Sequence, residues 1–143
     1  MQINKAISCV LLLFVLVFSS VVHAKTDEAT DNIYTEDKPN IAVSSDQPEF
    51  TLKLKSNPTT GYSWFLREYD TSLVTAVKHK FIPGSEKLIG AAGFELWTFK
   101  IKPLGFSVPH QTTIRLIYAR PWQGVDSSTQ VVFRVSTISK PKN

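Results

Sequence analysis

The sequence predicts an all-β domain, a sandwich or barrel of about seven short strands. Several segments alternate apolar and polar residues with a period of two, as half-buried strands do. No segment shows a sustained helical period, and the eight prolines, all beyond residue 24, would interrupt long helices. Turn residues recur between the alternating segments at short intervals, as they do in sandwiches and barrels.

Residues 1–24 have the composition of a cleaved export signal. Lys5 gives a minimal positive region, "CVLLLFVLVF" is a compact apolar run, and Val22 and Ala24 are the small residues that precede a cleavage site. The apolar run is short and poorly flanked for a membrane span, although a retained N-terminal anchor is the alternative. We therefore expect cleavage after Ala24, a secreted or periplasmic protein, and no membrane attachment after cleavage.

The remainder of the chain divides into a leader and one domain. Residues 25–39, "KTDEATDNIYTEDKP", are polar, acidic and without periodicity, which predicts a flexible leader. Residues 40–143 are long enough for one domain with one core. Cys9 is the only cysteine and lies in the signal, which excludes a disulfide scaffold, a thiol enzyme and a Cys-ligated zinc site. The net charge of +4 indicates only a mild preference for acidic partners.

The strands are predicted in chain order from "NIAV" through "EFTLKLK", "YSWFLRE", "LVTAVKHKF", "FELWTFKI" and "TTIRLIYA" to "QVVFRVST". The first and fourth of these are the weaker candidates. The residues that the period of two places on the core side are Phe50, Leu52, Leu54, Tyr62, Trp64, Leu66, Trp97, Phe99, Ile101, Ile114, Leu116, Tyr118, Val131, Phe133 and Val135.

The connection between the second and third predicted strands, "NPTTGY", is stiffer than a simple turn needs to be. Pro58 fixes its own φ and favours an extended Asn57, and Gly61 can adopt a positive φ. The tip nevertheless consists of Thr59 and Thr60, where a purely connective turn would more often have Gly, Asn or Asp. The pattern indicates a rigid loop with a small, hydroxyl-bearing tip.

Two further loops belong with it. "GAAG", Gly90 to Gly93, precedes one strand, and "RPW", Arg120 to Trp122, ends another. Each has a plain explanation, a flexible link for the first and a strand stop for the second. In a sandwich, however, alternate connections share one end, which brings all three loops to one pole. Trp and Arg are common interface hot spots, and stiff loops bind with little ordering cost, so the pole is predicted to bind a protein.

In their order and spacing, "NPTTGY", the GxxG loop and "RPW" resemble the chagasin family of cysteine-peptidase inhibitors (proteinase inhibitor I42), over residues 40 to 140 or so. Gln123 departs from the acidic residue of many members. The resemblance implies an immunoglobulin-like fold and a monomer without metal or cofactor. It also implies reversible, tight-binding, non-covalent inhibition of papain-like cysteine peptidases (clan CA, family C1).

The resemblance also implies a role for each loop. Asn57, Pro58, Thr59, Thr60, Gly61 and Tyr62 would enter the catalytic centre of the peptidase. Gly90, Ala91, Ala92 and Gly93 would lie along the non-primed side of the cleft. Arg120, Pro121 and Trp122 would lie on the primed side, with Trp122 stacked on an aromatic residue of the enzyme.

Three other functions fit less well. Beyond residue 24 the histidines are His79 and His110, without metal-ligand spacing, and neither a GxSxG elbow nor a phosphate-binding loop is present. An enzyme would need one of these histidines beside a reactive serine with a carboxylate behind it. A nucleic-acid module would need "GAAG" to join two helices, as in KH domains. A secreted carbohydrate-binding or adhesion module with Trp122 as its platform stays open as the alternative.

Overall fold

Two four-stranded β-sheets pack face to face in the computed structural model, which describes residues 32–84, 90–124 and 128–139. Within these ranges the strands are β1 (Ile33–Tyr34), β2 (Asn40–Ser44), β3 (Glu49–Ser56), β4 (Ser63–Tyr69), β5 (Val74–Ile82), β6 (Gly93–Ile101), β7 (Gln111–Ala119) and β8 (Thr129–Ile138). Short 3₁₀ turns cover Pro58–Thr60 and Pro103–Phe106. None of the described helical segments has the length and apolar character to cross a bilayer.

The strand order is β1-β3-β6-β5 in one sheet and β2-β8-β7-β4 in the other. Most neighbours are antiparallel, but β1 pairs with β3 and β2 pairs with β8 in parallel. The connections from β3 to β4, from β5 to β6 and from β7 to β8 therefore leave the sandwich at the same end. These are the connections that contain "NPTTGY", "GAAG" and "RPW", so the predicted common pole is confirmed.

The core lies between the sheets and, apart from Tyr62 in the first loop, contains the residues that the period of two predicted. Ten of them are buried: Phe50, Leu52, Leu54, Trp64, Phe99, Ile101, Ile114, Leu116, Phe133 and Val135. The other five are half-buried: Tyr62, Leu66, Trp97, Tyr118 and Val131. Both weaker strand predictions are also confirmed, as β2 and β5.

The N-terminal leader differs from the prediction. Residues 1–31 lie outside the described ranges, but β1 falls in the segment that was expected to be flexible. Ile33 pairs with Thr51 in parallel, and the ring of Tyr34 meets Phe50 edge-on with the centroids 6.4 Å apart. The expectation of a flexible leader up to residue 39 is therefore wrong for this strand, because two good β-formers pair with Thr51 and Leu52 at the free edge of β3.

At the end of the sandwich opposite the three loops, Asp70 closes the turn between β4 and β5. Its Oδ1 accepts hydrogen bonds from the Ser72 hydroxyl (2.6 Å) and the Ser72 backbone N–H (2.8 Å). These bonds stabilise the ionised carboxylate, so they lower the pKa of Asp70 from its usual value.

Candidate functional site

The first loop is held in shape by its own hydrogen bonds. Pro58–Thr60 forms one 3₁₀ turn, and Gly61 ends it at φ 81°, a conformation that glycine adopts without strain. The Thr59 hydroxyl donates to Asn57 Oδ1 (2.5 Å), and the Thr60 hydroxyl donates to the Asn57 carbonyl (2.6 Å). Both threonine hydroxyls therefore bond within the loop, and the exposed tip is ordered before any partner binds.

Aromatic residues support the base of this loop. The Asn57 N–H donates to the Tyr118 hydroxyl (2.8 Å). The Tyr118 ring lies between those of Tyr62 and Trp64, with centroid distances of 5.2 and 5.1 Å. Trp64 is itself fixed by a bond from its indole N–H to the Lys55 carbonyl (2.8 Å). The loop thus stands on residues that belong to the core.

The third loop is joined to the first by Arg120. Its Nε–H donates to the Thr60 carbonyl (3.0 Å), and its guanidinium lies 4.5 Å from the centre of the Tyr62 ring. The sequence predicted Arg120 and Trp122 as a pair of contacts for a partner, but Arg120 is half-buried. Its guanidinium group therefore already links the third loop to the first within the protein.

Trp122 is the other half of that pair, and it is 72% exposed. The Gln123 N–H donates to the Arg120 carbonyl (3.1 Å), which closes the turn that carries the exposed Pro121 and Trp122. The edge of the indole rests on the first loop, since a Cβ added at Gly61 would lie 2.7 Å from its Cη2 atom. A wide aromatic face consequently stands beside the threonine tip.

The second loop approaches the first loop through Gly90. The Asn57 side-chain amide donates to the Gly90 carbonyl (3.4 Å), and a Cβ at Gly90 would lie 3.9 Å from the Thr59 hydroxyl. Gly90 has φ 79° and is exposed. The second and third loops therefore both contact the first loop, in the segment from Asn57 to Gly61.

The rest of "GAAG" is divided between surface and interior. Ala92 is exposed and Ala91 is half-buried, whereas Gly93 is buried as the first residue of β6. A Cβ at Gly93 would lie 2.2 Å from the Ile82 carbonyl oxygen, so only glycine fits there. Gly93 therefore shapes the loop from below and offers no side chain to a partner.

A buried carboxylate, which the sequence analysis missed, ties together the two ends of the first loop. Glu95 is 2% exposed. Its Oε1 accepts hydrogen bonds from the Ser56 hydroxyl (2.6 Å) and from the Trp64 N–H (3.1 Å), and its Oε2 lies 2.7 Å from His79 Nε2. Ser56 precedes the loop and Trp64 follows it. The available signal was a glutamate at an inward position of "FELWTFKI", among apolar residues.

His79 packs on the core and is not placed to take a proton from a serine nucleophile. Its ring stacks on Trp97 with the centroids 3.9 Å apart. Ser56 donates to Glu95, so the carboxylate lies between the hydroxyl and the imidazole, whereas a catalytic serine needs the imidazole as its direct partner. Three or more His, Cys, Asp or Glu side chains that could hold a metal ion do not come together in the described ranges.

Known proteins of one family match this chain. The model of the family described as "Chagasin family peptidase inhibitor I42" matches residues 44–136. Chagasin from Trypanosoma cruzi is 34% identical over 77 residues, which is 51% of this chain and 66% of chagasin, slightly less than two thirds.

Solved structures share the fold. The crystal structure of the cysteine protease inhibitor EhICP2 from Entamoeba histolytica superposes with a TM-score of 0.58 and 23% identity, over 76% of this chain and 95% of EhICP2. PbICP-C, solved in complex with falcipain-2, gives a TM-score of 0.55 and 16% identity, over 75% of this chain and 90% of PbICP-C. The all-β, immunoglobulin-like sandwich predicted from the sequence is thereby confirmed.

Proposed function

The chain belongs to the chagasin family of peptidase inhibitors, I42, and from that premise we propose that it is a reversible, tight-binding, non-covalent inhibitor of papain-like cysteine peptidases. Members of this family are inhibitors and not enzymes. The observation that carries the proposal is the contact of all three loops at one pole, around a first loop that is already ordered. PbICP-C, which shares the fold, was solved in complex with falcipain-2, and that complex supports a peptidase as the partner.

The first loop has the properties of a wedge that resists cleavage. A papain-like enzyme attacks an extended peptide whose carbonyl carbon is held within reach of the cysteine thiolate and whose oxygen enters the oxyanion hole. Three carbonyls of this loop are already hydrogen-bonded within the inhibitor. The Asn57 carbonyl accepts a bond from the Thr60 hydroxyl, and the Pro58 carbonyl accepts one from the Gly61 N–H. The Thr60 carbonyl accepts a bond from Arg120. The loop would fill the catalytic centre in a bent conformation that offers the nucleophile a poor target.

The second and third loops would enlarge the interface with the peptidase, and the third would also provide an anchor residue. A standard protein interface removes roughly 800 Å² per partner from water, which is more than a six-residue loop provides. The exposed Trp122 adds a large aromatic surface on the primed side, and Gly90 to Ala92 add backbone surface on the non-primed side. Because the loops already contact one another, little conformational entropy is lost on binding.

The place of action follows from the N-terminal segment. Cleavage after Ala24 would release the inhibitor into the periplasm or the secretory route, where it would act as a monomer. The segment lies outside the described residues, so this part of the proposal rests on its sequence alone.

The direct test is a titration of papain with the exported protein and a fluorogenic peptide substrate. We expect competitive, reversible inhibition, with the inhibitor recovered uncut after long incubation with excess enzyme. A folded protein that leaves papain, and a panel of other papain-like peptidases, unaffected at micromolar concentration would refute the proposal. Cleavage in the segment from Asn57 to Tyr62 would refute the wedge mechanism even if inhibition were seen.

A further inference from the structure

A group of four lysines lies on the outer surface of the sheet β1-β3-β6-β5, away from the three loops. Lys53 and Lys55 project from β3, and Lys78 and Lys80 project from β5. The strand β6 runs between them: Lys53 and Lys80 both pair with Leu96, on its two sides. We call the outer surface that carries these four residues the lysine face.

The four charges of the lysine face have no carboxylate partner in the described ranges. The one acidic side chain on the same side of β3 is Glu49, and it is bound to Lys100 (2.9 Å). Lysines on the edge strand β5 can be explained as protection against edge-to-edge association. The same explanation extends to Lys53 and Lys55, because β1 pairs only with Thr51 and Leu52 and leaves the β3 edge beyond them open in the described part of the chain. Edge protection needs only a charge on each edge, whereas here four ammonium groups share one face with β6 between them, and an external anion would meet all four together.

The geometry of the lysine face suits a long, thin ligand. Successive lysines on one strand are separated by about 7 Å, and the two strands that carry them by roughly 10 Å. A shallow groove of about 450 Å³ covers part of the face, with Ile33, Thr51, Leu96 and Thr98 in its floor and Lys78 and Lys80 at its β5 side. Lys53 and Lys55 lie beyond this groove, and the one carboxylate that lines it, Glu49, is paired with Lys100. Lys53 keeps its ammonium 4.2 Å from the centre of the Phe94 ring. The face thus combines fixed positive charges with apolar strips between them.

We propose that the lysine face binds a linear polysaccharide that carries sulfate or carboxylate groups. Repeated negative charges along an extended chain match repeated ammonium groups on a flat sheet, and clustered basic side chains are a known feature of heparin-binding surfaces. Leu96 and Ile82 would contact the apolar faces of the sugar rings. Such binding would hold the protein on an anionic coat or matrix.

The lysine face leaves the loop pole free. Lys55 is the lysine nearest to the first loop, and its side chain points out of the sheet, while Asn57 and the other loop residues lie at the strand ends. A ligand lying across β3, β6 and β5 therefore covers none of Thr59, Thr60 and Trp122. The inference is independent of the proposed inhibition and would stand without it.

Binding of the exported protein to immobilised heparin at several salt concentrations tests the proposal. The variant Lys53→Gln/Lys80→Gln removes two charges from the lysine face. The matched control Lys38→Gln/Arg134→Gln removes two charges from exposed positions elsewhere. We expect the first variant to lose affinity at least tenfold and the control less than twofold. The slope of log K against log salt should fall by about one for each lysine that contacts the ligand.

Three outcomes would overturn the inference. The first is equal loss in the two variants, which would mean that only the overall positive charge matters. The second is no retention of the wild-type protein on heparin at physiological salt. The third is a preference for vesicles of anionic lipid, or for single-stranded DNA, over heparin. Inhibition of papain is measured on the same samples, and we expect it to be unchanged in both variants.

Discussion

Replacing Glu95 by alanine tests whether the buried carboxylate holds the base of the first loop. The wild-type side chain accepts hydrogen bonds from Ser56, Trp64 and His79. Bonds to a charged group contribute about 1.5–3 kcal/mol each. The Ser56 hydroxyl can rotate, and the His79 side chain is 43% exposed and can reach water. The Trp64 N–H has neither option, because Trp64 is 4% exposed. We therefore expect Glu95→Ala to lower the free energy of unfolding by about 3 kcal/mol or more.

Glu95→Gln is the matched variant that separates the charge from the hydrogen bonds. Its amide oxygen can keep the bonds from Ser56 and Trp64, and its NH₂ group can donate to His79 if the ring changes tautomer. Only the charge assistance is lost, so the expected cost is about 1 kcal/mol. For a domain of this size the corresponding falls in Tm are roughly 4–8 °C for glutamine and 12 °C or more for alanine.

Both variants are measured by thermal and urea denaturation, followed through tryptophan fluorescence and circular dichroism. The inhibition constant for papain is measured at 25 °C on samples that are still folded. We expect alanine to weaken inhibition about tenfold, because both ends of the first loop lose an anchor, and glutamine to weaken it less than threefold. The argument would fail if alanine and glutamine destabilised the protein equally. It would also fail if alanine cost less than about 1 kcal/mol.

Three further substitutions address single features. Trp122→Ala should raise the inhibition constant about thirtyfold, or about 2 kcal/mol, without a change in Tm, because the side chain is 72% exposed; a change below twofold contradicts its role as an anchor. Gly61→Ala should destabilise the fold by roughly 1–2 kcal/mol and weaken inhibition, because φ is 81° and the new Cβ would meet Trp122. Gly124→Ala is the control: its new Cβ would have no atom within 4 Å, so neither stability nor inhibition should change. Asp70→Asn should reduce the loss of stability that the wild-type protein shows as the pH is lowered. The depressed pKa of Asp70, which the Ser72 hydrogen bonds cause, gives stability that is present above pH 4 or so and lost as pH falls through the folded pKa. Urea midpoints at pH 5 and pH 2 that fall equally in variant and wild type would contradict this last expectation.

The fold was predictable because its core follows a simple rule. Alternation in "EFTLKLK" and "TTIRLIYA" places one face of each strand inside, and those faces are the ones that are buried. Even so, β1 was missed. Ile33 and Tyr34 are only two residues in an acidic segment, and their pairing depends on the free edge of β3, which no local pattern reveals.

The candidate site was predictable as a set of loops but not as a network. Pro58 and Gly61 predict a bent loop from the sequence alone, because Pro58 fixes its own φ and Gly61 permits a positive φ. The roles of Glu95 and Arg120 depend on distances between residues far apart in the chain. Glu95 bonds to residues 16 to 39 positions away, and Arg120 to a residue 60 positions away. The sequence therefore predicted Arg120 as a contact for a partner, whereas in the folded chain it links the third loop to the first.

The parallel pairing of β2 with β8 has a consequence for the order of folding. Residue 40 of β2 lies beside residue 134 of β8, so β2 can pair in this sheet only after β8, the last strand of the domain, has formed. Closing a loop of that length is entropically costly until the intervening strands are in place, which makes this pairing a late step. During synthesis, the chain cannot complete this sheet until β8 has left the ribosome. Until then, Ile41 and Val43 lack the sheet partner that holds them in the core, and the incomplete chain stays loosely folded along this edge.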